Sequence, residues 1–148
     1  MSGQFEATTE INRPIEEVFA FLAAGTNDPK FSPRVQSIAK TPEGPTAVGT
    51  VFTSTVKDAG MKTGRKFRIT EFEPSGRIRW AEVSKNIVMA KEGGYDLEST
   101  GPGTTRVRIF NVLEGHGVGK VLVGFALSAA RKDANAFGQR IKAAVEAS

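Results

Sequence analysis

The feature that most constrains this chain is the order of its apolar periodicities. A series of period-two segments separated by tight turns is followed by one long segment of period near 3.6. Arg34–Thr41 runs into Pro42-Glu43-Gly44-Pro45, Ala47–Lys57 into Asp58-Ala59-Gly60, and Arg65–Glu73 into Pro74-Ser75-Gly76. Arg77–Val83 meets Ser84-Lys85-Asn86, and Ile87–Glu98 leads through Gly101-Pro102-Gly103 to Thr105–Glu114. This spacing predicts an antiparallel meander, with Gly93-Gly94 marking a bulge or a close backbone approach. From Val118 to Ala147, Leu122, Phe125 with Ala126, Ala129 with Ala130, Ala134, Phe137, Ile141 and Val145 recur at helical spacing. A helix of that length must cover an apolar surface, and the sheet is the one on offer.

Before the meander, Gln4–Ile11 alternates Phe5, Ala7, Thr9 and Ile11 against polar residues, which predicts a half-buried strand. Pro14, Glu16 and Glu17 then suit a first helical turn, with Ile15, Val18, Phe19 and Leu22 at helical spacing and Gly25 near the end. A second short helical turn is expected over Asn27–Phe31, stopped by Ser32-Pro33. The reading is one α+β domain over residues 1–148: a strand, two short helices, six strands and a long helix.

The composition excludes several chemistries. The 148 residues include no cysteine, so disulfides, zinc fingers, Fe–S clusters and thiol nucleophiles are unavailable. The single histidine, His116, cannot build a multi-histidine metal site, and no metal or cofactor is implied. Glycines around it, Gly115, Gly117 and Gly119 before Lys120, match neither phosphate-binding loop. The glycine spacing is one short of a Walker motif with Val121 after the lysine, and the segment follows the last strand rather than the first. It reads as a hinge into the helix. No apolar run is long enough to span a bilayer and the N-terminus has no signal-peptide core, so a cytoplasmic location without stable membrane insertion is expected.

Net charge is +4, carried by residues after position 45. Lys66, Arg68, Arg77, Arg79, Arg106 and Arg108 alternate with apolar residues and read as the solvated outer face of the sheet. No aromatic residues interleave with them as single-strand binding would want, so neither DNA nor RNA is expected as a partner.

Four local patterns carry a resemblance. They are Ile11-Asn12-Arg13-Pro14-Ile15-Glu16-Glu17-Val18-Phe19-Ala20-Phe21-Leu22, Phe31-Ser32-Pro33-Arg34-Val35, Ile69-Thr70-Glu71-Phe72-Glu73-Pro74 with Arg77-Ile78-Arg79-Trp80, and Gly103-Thr104-Thr105-Arg106-Val107. In this order they resemble the helix-grip superfamily of birch-pollen allergens, START lipid-transfer domains and polyketide cyclase/dehydrase-like proteins, with Phe31 where tryptophan is more usual. The resemblance implies a curved seven-stranded antiparallel sheet gripping the C-terminal helix around a cavity. It also implies binding or transport of a small hydrophobic ligand, whether lipid, polyketide or aromatic metabolite. A polyketide cyclase, aromatase or dehydrase on the same scaffold is the alternative, and a protein or nucleic-acid partner on the basic face a further one.

Candidate lining residues are Phe67, Ile69, Ile78, Trp80, Met89, Tyr95, Ile109, Phe110 and Asn111 on strands and Leu122, Phe125 and Ala129 on the helix, where small residues leave room. For any one of them taken singly, plain core is the simpler reading. Glu82 shares parity with Ile78 and Trp80, so it can point inward as a desolvated acid; the plainer reading leaves it in water at a bulged strand end. Tyr95 offers a hydroxyl, and Glu82 and Tyr95 are the catalytic candidates. Oligomeric state and ligand identity stay open.

Overall fold

The computed structural model describes residues 2–58 and 60–148; of the expected Asp58-Ala59-Gly60 turn, Ala59 lies outside the described residues. The alternating segments form strands β1 (Ser2–Ile11), β2 (Val35–Thr41), β3 (Val51–Asp58), β4 (Met61–Glu73), β5 (Arg77–Glu82), β6 (Val88–Gly101) and β7 (Thr104–Gly115). They pair antiparallel in the order β1-β7-β6-β5-β4-β3-β2, a meander that β1 joins by pairing with β7. Helix α1 (Ile15–Ala23) follows Pro14 with Glu16 and Glu17 in its first turn, and a 3-10 turn, Asp28–Lys30, comes next. The last element is α2 (Gly119–Glu146). The result is the curved seven-stranded sheet with a long C-terminal helix expected from sequence.

Directly opposed residues of antiparallel strands share a face, so the register sorts the side chains. One row runs Ala7, Ile109, Tyr95, Ile78, Phe72, and the next Phe5, Asn111, Gly93, Trp80, Ile69. These define the inner face. The outer face carries the rows Glu6, Phe110, Gly94, Arg79, Glu71 and Thr8, Arg108, Asp96, Arg77, Glu73. A register shift between Ile69 and Glu71 brings both Ile69 and Phe72 to the inner face, a parity change that simple alternation misses.

Helix α2 packs chiefly on β1, then on β7. Val123, Leu127, Gly138, Ile141 and Val145 form its buried stripe. Helix α1 supplies Val18, Phe19, Phe21 and Leu22 to the core, with Phe19 edge-on to Phe72 at 5.3 Å. Phe31, just after the 3-10 turn, packs between Phe21 and Phe137 at 6.4 and 5.9 Å, so the turn bridges α1 and α2. Among the described residues, no helix is long and apolar enough to cross a membrane.

The glycine pair in β6 marks a close approach on both faces, and the strand runs through it unbroken. A Cβ at Gly93 would stand 2.2 Å from Asn111 Oδ1 and 2.4 Å from Trp80 Nε1; one at Gly94 would meet the Ile78 carbonyl at 2.3 Å and Arg79 Nη1 at 2.7 Å. The bulge itself falls between Ala90 and Glu92.

A methyl group at Gly93 has to displace the indole or the amide, so Gly93→Ala is expected to destabilise the fold by about 1–3 kcal/mol. At Gly124, exposed on α2 with nothing within 4 Å of the added carbon, alanine is expected to stabilise by about 0.5–1 kcal/mol. Urea midpoints of the two variants, moving in opposite directions, check both.

Candidate functional site

The inner face of β5, β6 and β7 carries a compact aromatic and polar cluster. The Trp80 indole N–H donates to Asn111 Oδ1 at 3.0 Å across the gap left by Gly93. Tyr95 stands edge-on to Trp80, with centroids 5.1 Å apart and planes at 70°. The ring of Tyr95 is buried between Ile78 and Ile109, its neighbours in the register. Trp80 remains half-buried, packed against the core rather than within it.

Asp28 opens the 3-10 turn and is half-buried. Burial pushes its carboxyl from 3.8 up to about 7. The Tyr95 hydroxyl is pushed well above its ordinary value, first by its own burial and then by the negative charge of Asp28. Neither the Asp28 carboxyl nor the Tyr95 hydroxyl has a hydrogen-bond partner among the described residues, yet neither is sealed away from solvent-sized space. Sequence reasoning missed Asp28. Its only signal was an acid in a short Pro-containing turn.

Glu82 points inward, as its parity with Trp80 requires, and is buried rather than left in water. The loop after β5 folds back over it. Its carboxylate accepts from Arg65 Nη1 at 2.8 Å, Ser84 Oγ at 2.7 Å, Asn86 Nδ2 at 2.6 Å and the Ala90 N–H at 2.9 Å. Four donors saturate the lone pairs a proton acceptor would use, so the geometry is that of a clamp joining β4, β5 and β6.

The other sequence candidates divide by position. Phe67, Ile69, Ile78 and Ile109 lie on the inner face with Trp80, Tyr95 and Asn111. Phe110 lies on the outer face, its ring centroid 4.9 Å from the Arg79 guanidinium and 4.5 Å from that of Arg108. Its burial comes from these two cations, so it lines no inner cavity. The β6 bulge pairs Met89 with Glu114, on the outer parity, and gives the inner position to Ala90. Leu122 and Phe125 are 43% and 70% exposed, and Ala129 is exposed as well. The stripe that meets the sheet is the neighbouring one through Val123 and Leu127.

The expected basic face is partly neutralised. Arg79 bonds Asp96 Oδ1 at 2.8 Å, and Arg108 bonds Asp96 Oδ2 at 3.0 Å and also Glu6. Burial raises the Asp96 carboxyl, but its bonds to the two guanidiniums outweigh that and hold it below the ordinary range. Arg77 and Arg106 have acidic neighbours too. The glycine-rich entry to α2 is close-packed rather than loose: the His116 N–H donates to the Ile87 carbonyl at 2.8 Å, and that oxygen lies 1.8 Å from where a Gly119 Cβ would sit. Two open grooves flank α1, one of about 410 Å³ beside Arg13, Phe21 and Val145, the other of about 340 Å³ beside Phe19, Lys40 and Phe72. Both lie apart from the Trp80–Tyr95 cluster.

The family model described as polyketide cyclase / dehydrase and lipid transport matches residues 2–146. No curated protein matches the chain significantly in sequence. Among solved structures, the Zhui aromatase/cyclase from Streptomyces sp. R1128 superposes with a TM-score of 0.82 at 16% identity, covering 99% of this chain and 94% of that one. A START superfamily protein from Mycobacterium smegmatis gives 0.74 at 13% identity, with 97% of each chain covered. Ara h 8.0201 gives 0.67 at 17%, with both chains fully covered. At these identities the likeness is one of fold.

Removing the Glu82 charge leaves Arg65 and the loop donors short of their acceptor. Glu82→Gln is expected to destabilise the protein by roughly 2–4 kcal/mol, read from urea unfolding. Asp28 behaves in the opposite sense. It stays protonated in the fold up to about 7 but ionises near 3.8 when exposed, so stability falls as pH rises between those values. Asp28→Asn is therefore expected to gain stability over the parent protein progressively from about pH 4 to about pH 8, measured as the difference in denaturation midpoint.

Proposed function

The chain belongs to the polyketide cyclase / dehydrase and lipid transport family, and on that premise we propose that it binds a small, largely apolar ligand against the inner face of its sheet. One observation carries the proposal. Helix α2 packs chiefly on β1 and β7, and leaves the half-buried aromatic side chains of Phe67 on β4 and Trp80 on β5 short of full cover. A flat or acyl ligand laid on them would complete the burial that the chain leaves unfinished. The Trp80–Asn111 bond fixes the indole plane in advance, so less ordering is needed on binding.

A cyclase- or aromatase-type reaction in the same place is a second reading. It is favoured by the Asp28 carboxyl, which has no hydrogen-bond partner among the described residues and, raised to about 7, exchanges its proton near neutral pH. Relatives of both kinds, an aromatase/cyclase and a START superfamily protein, share the fold. The binding reading comes first because it needs only the uncovered face.

The chain contains one tryptophan, so Trp80 reports on its own site. Saturating long-chain fatty acid or anthraquinone is expected to change its emission and raise the melting temperature by several degrees, through preferential binding to the folded state. Phe67→Asp should weaken that binding at least tenfold. Unaltered emission and melting temperature with fatty acids, sterols and polycyclic aromatics alike would overturn the proposal.

A further inference from the structure

We propose that the end of the sheet where α2 begins docks on the surface of an anionic lipid bilayer. Eight large apolar side chains are exposed among the described residues, and seven of them, all but Val48, lie at this end. In the antiparallel meander the β3–β4 hairpin, the β5–β6 loop and the β7–α2 connection share one end, and hydrogen bonds join them in that order. Asn86 Nδ2 donates to the Gly64 carbonyl at 3.4 Å, the Lys66 N–H to Ser84 Oγ at 3.1 Å, and the His116 N–H to the Ile87 carbonyl at 2.8 Å. Met61 on the hairpin, Ile87 in the loop, and Val121 and Phe125 on the helix are each more than half exposed.

Helix α2 overhangs the start of β1. A Cβ at Gly3 would stand 2.5 Å from Leu127 Cδ1, and Arg131 Nη2 donates to the Gln4 carbonyl at 2.8 Å, so helix and strand run side by side from Leu127 onward. The eight residues before Leu127 carry the helix about 12 Å further. From Val121 to Ala130 it has no charged side chain. One apolar stripe, through Val123 and Leu127, faces the sheet. A second, through Val121, Leu122 and Phe125, is left uncovered by the chain. A helix stretch apolar on both faces belongs against a second apolar surface.

The charge of this end selects the partner. Segments 59–70, 83–91 and 115–132 contain no Asp or Glu, and Lys62, Lys85 and Lys120 are exposed with no ion pair among the described residues. Lys57 and Lys62 face each other directly in the β3–β4 register, a like-charge pair that costs stability in the free protein and that lipid phosphates would relieve. The acids bordering these segments are few. Glu82 is closed in its clamp, Glu114 is shared between Lys91 and His116, and Asp58 is the hairpin's own. A second copy of the chain fits poorly, because antiparallel packing of two exposed stripes sets Lys120 of each helix near Arg131 and Lys132 of the other. The grooves described above flank α1, whereas this end offers protruding side chains on three elements, which suit a plane better than a peptide. A bilayer takes both features at once: apolar side chains enter the acyl boundary while lysine stems reach back to the phosphates.

The test is co-sedimentation of the whole protein with vesicles of phosphatidylcholine alone and of phosphatidylcholine mixed with phosphatidylglycerol. Partition into the anionic vesicles is expected to exceed that into the neutral ones about tenfold, and to fall about tenfold as salt rises from about 0.05 M to about 0.5 M. Val121→Gln combined with Phe125→Gln should cut the partition about tenfold while leaving the urea midpoint in place, since both side chains are exposed in the free protein. Lys62→Glu combined with Lys85→Glu should remove the preference for anionic lipid. Val48→Gln, at the far end, should change nothing. The chain has no cysteine, so Leu122→Cys carrying an environment-sensitive dye reports on this end alone. Its emission should move to the blue on anionic vesicles, and that of labelled Val48→Cys should stay put. These two labelled proteins decide the matter should a double variant fail to fold. Equal partition into both vesicle types, partition into neither, or partition that survives Val121→Gln with Phe125→Gln overturns the proposal. So does a blue shift that appears without vesicles as the molecular mass doubles, which would assign the surface to a second copy instead.

Discussion

Seven strands spaced about 4.8 Å apart span roughly 29 Å, whereas one helix with its side chains is about 10–12 Å wide. That mismatch governs the rest of the molecule. Helix α2 settles on β1 and β7, where Gly3 and Gly138 let helix and strand come close. The far strands need other cover. Helix α1, the 3-10 turn and the aromatic chain of Phe21, Phe31 and Phe137 provide part of it, closing over Ile69, Ile78 and Tyr95. What they do not close is the strip through Phe67 and Trp80, and every functional reading begins there.

Much of this was legible in the sequence. The alternation of Phe5, Ala7, Thr9 and Ile11 fixed the face of β1, and the turn spacing fixed the meander. The sequence failed where local pattern and tertiary setting part ways. Helix α2 carries two apolar stripes in its first half, and periodicity alone does not tell that Val123 and Leu127 are buried while Leu122 and Phe125 face out. Ile109 and Phe110 are adjacent and both buried, but on opposite faces. The second is buried by arginines, a cover no hydrophobic pattern encodes. Glu82 and Asp28 complete the contrast, since Glu82 owes its burial to the loop that folds back over it, whereas Asp28 stays half-buried in its turn. The difference between them, four donors against none, exists only in three dimensions.

The charge of the chain, too, changes meaning once paired. A run of alternating arginines reads as a cationic face, but Asp96 sits between Arg79 and Arg108, and Glu6 reaches Arg108 from the edge strand. The network ties β1, β7, β6 and β5 together and lids the Phe110 ring. The outer face thus becomes a brace for the strands whose other side carries the Trp80–Tyr95 cluster.

That brace and that cluster meet at Gly93 and Gly94, where the sheet is a single backbone thick and an indole on one side is parted from a guanidinium on the other by peptide units alone. The place is consequently closed to gradual evolutionary tinkering. A side chain added at either glycine disturbs one layer directly and the other through the shared strand. A lineage reshaping this face has to do so at its margin, as at Phe67, where a change of shape answers to one layer only.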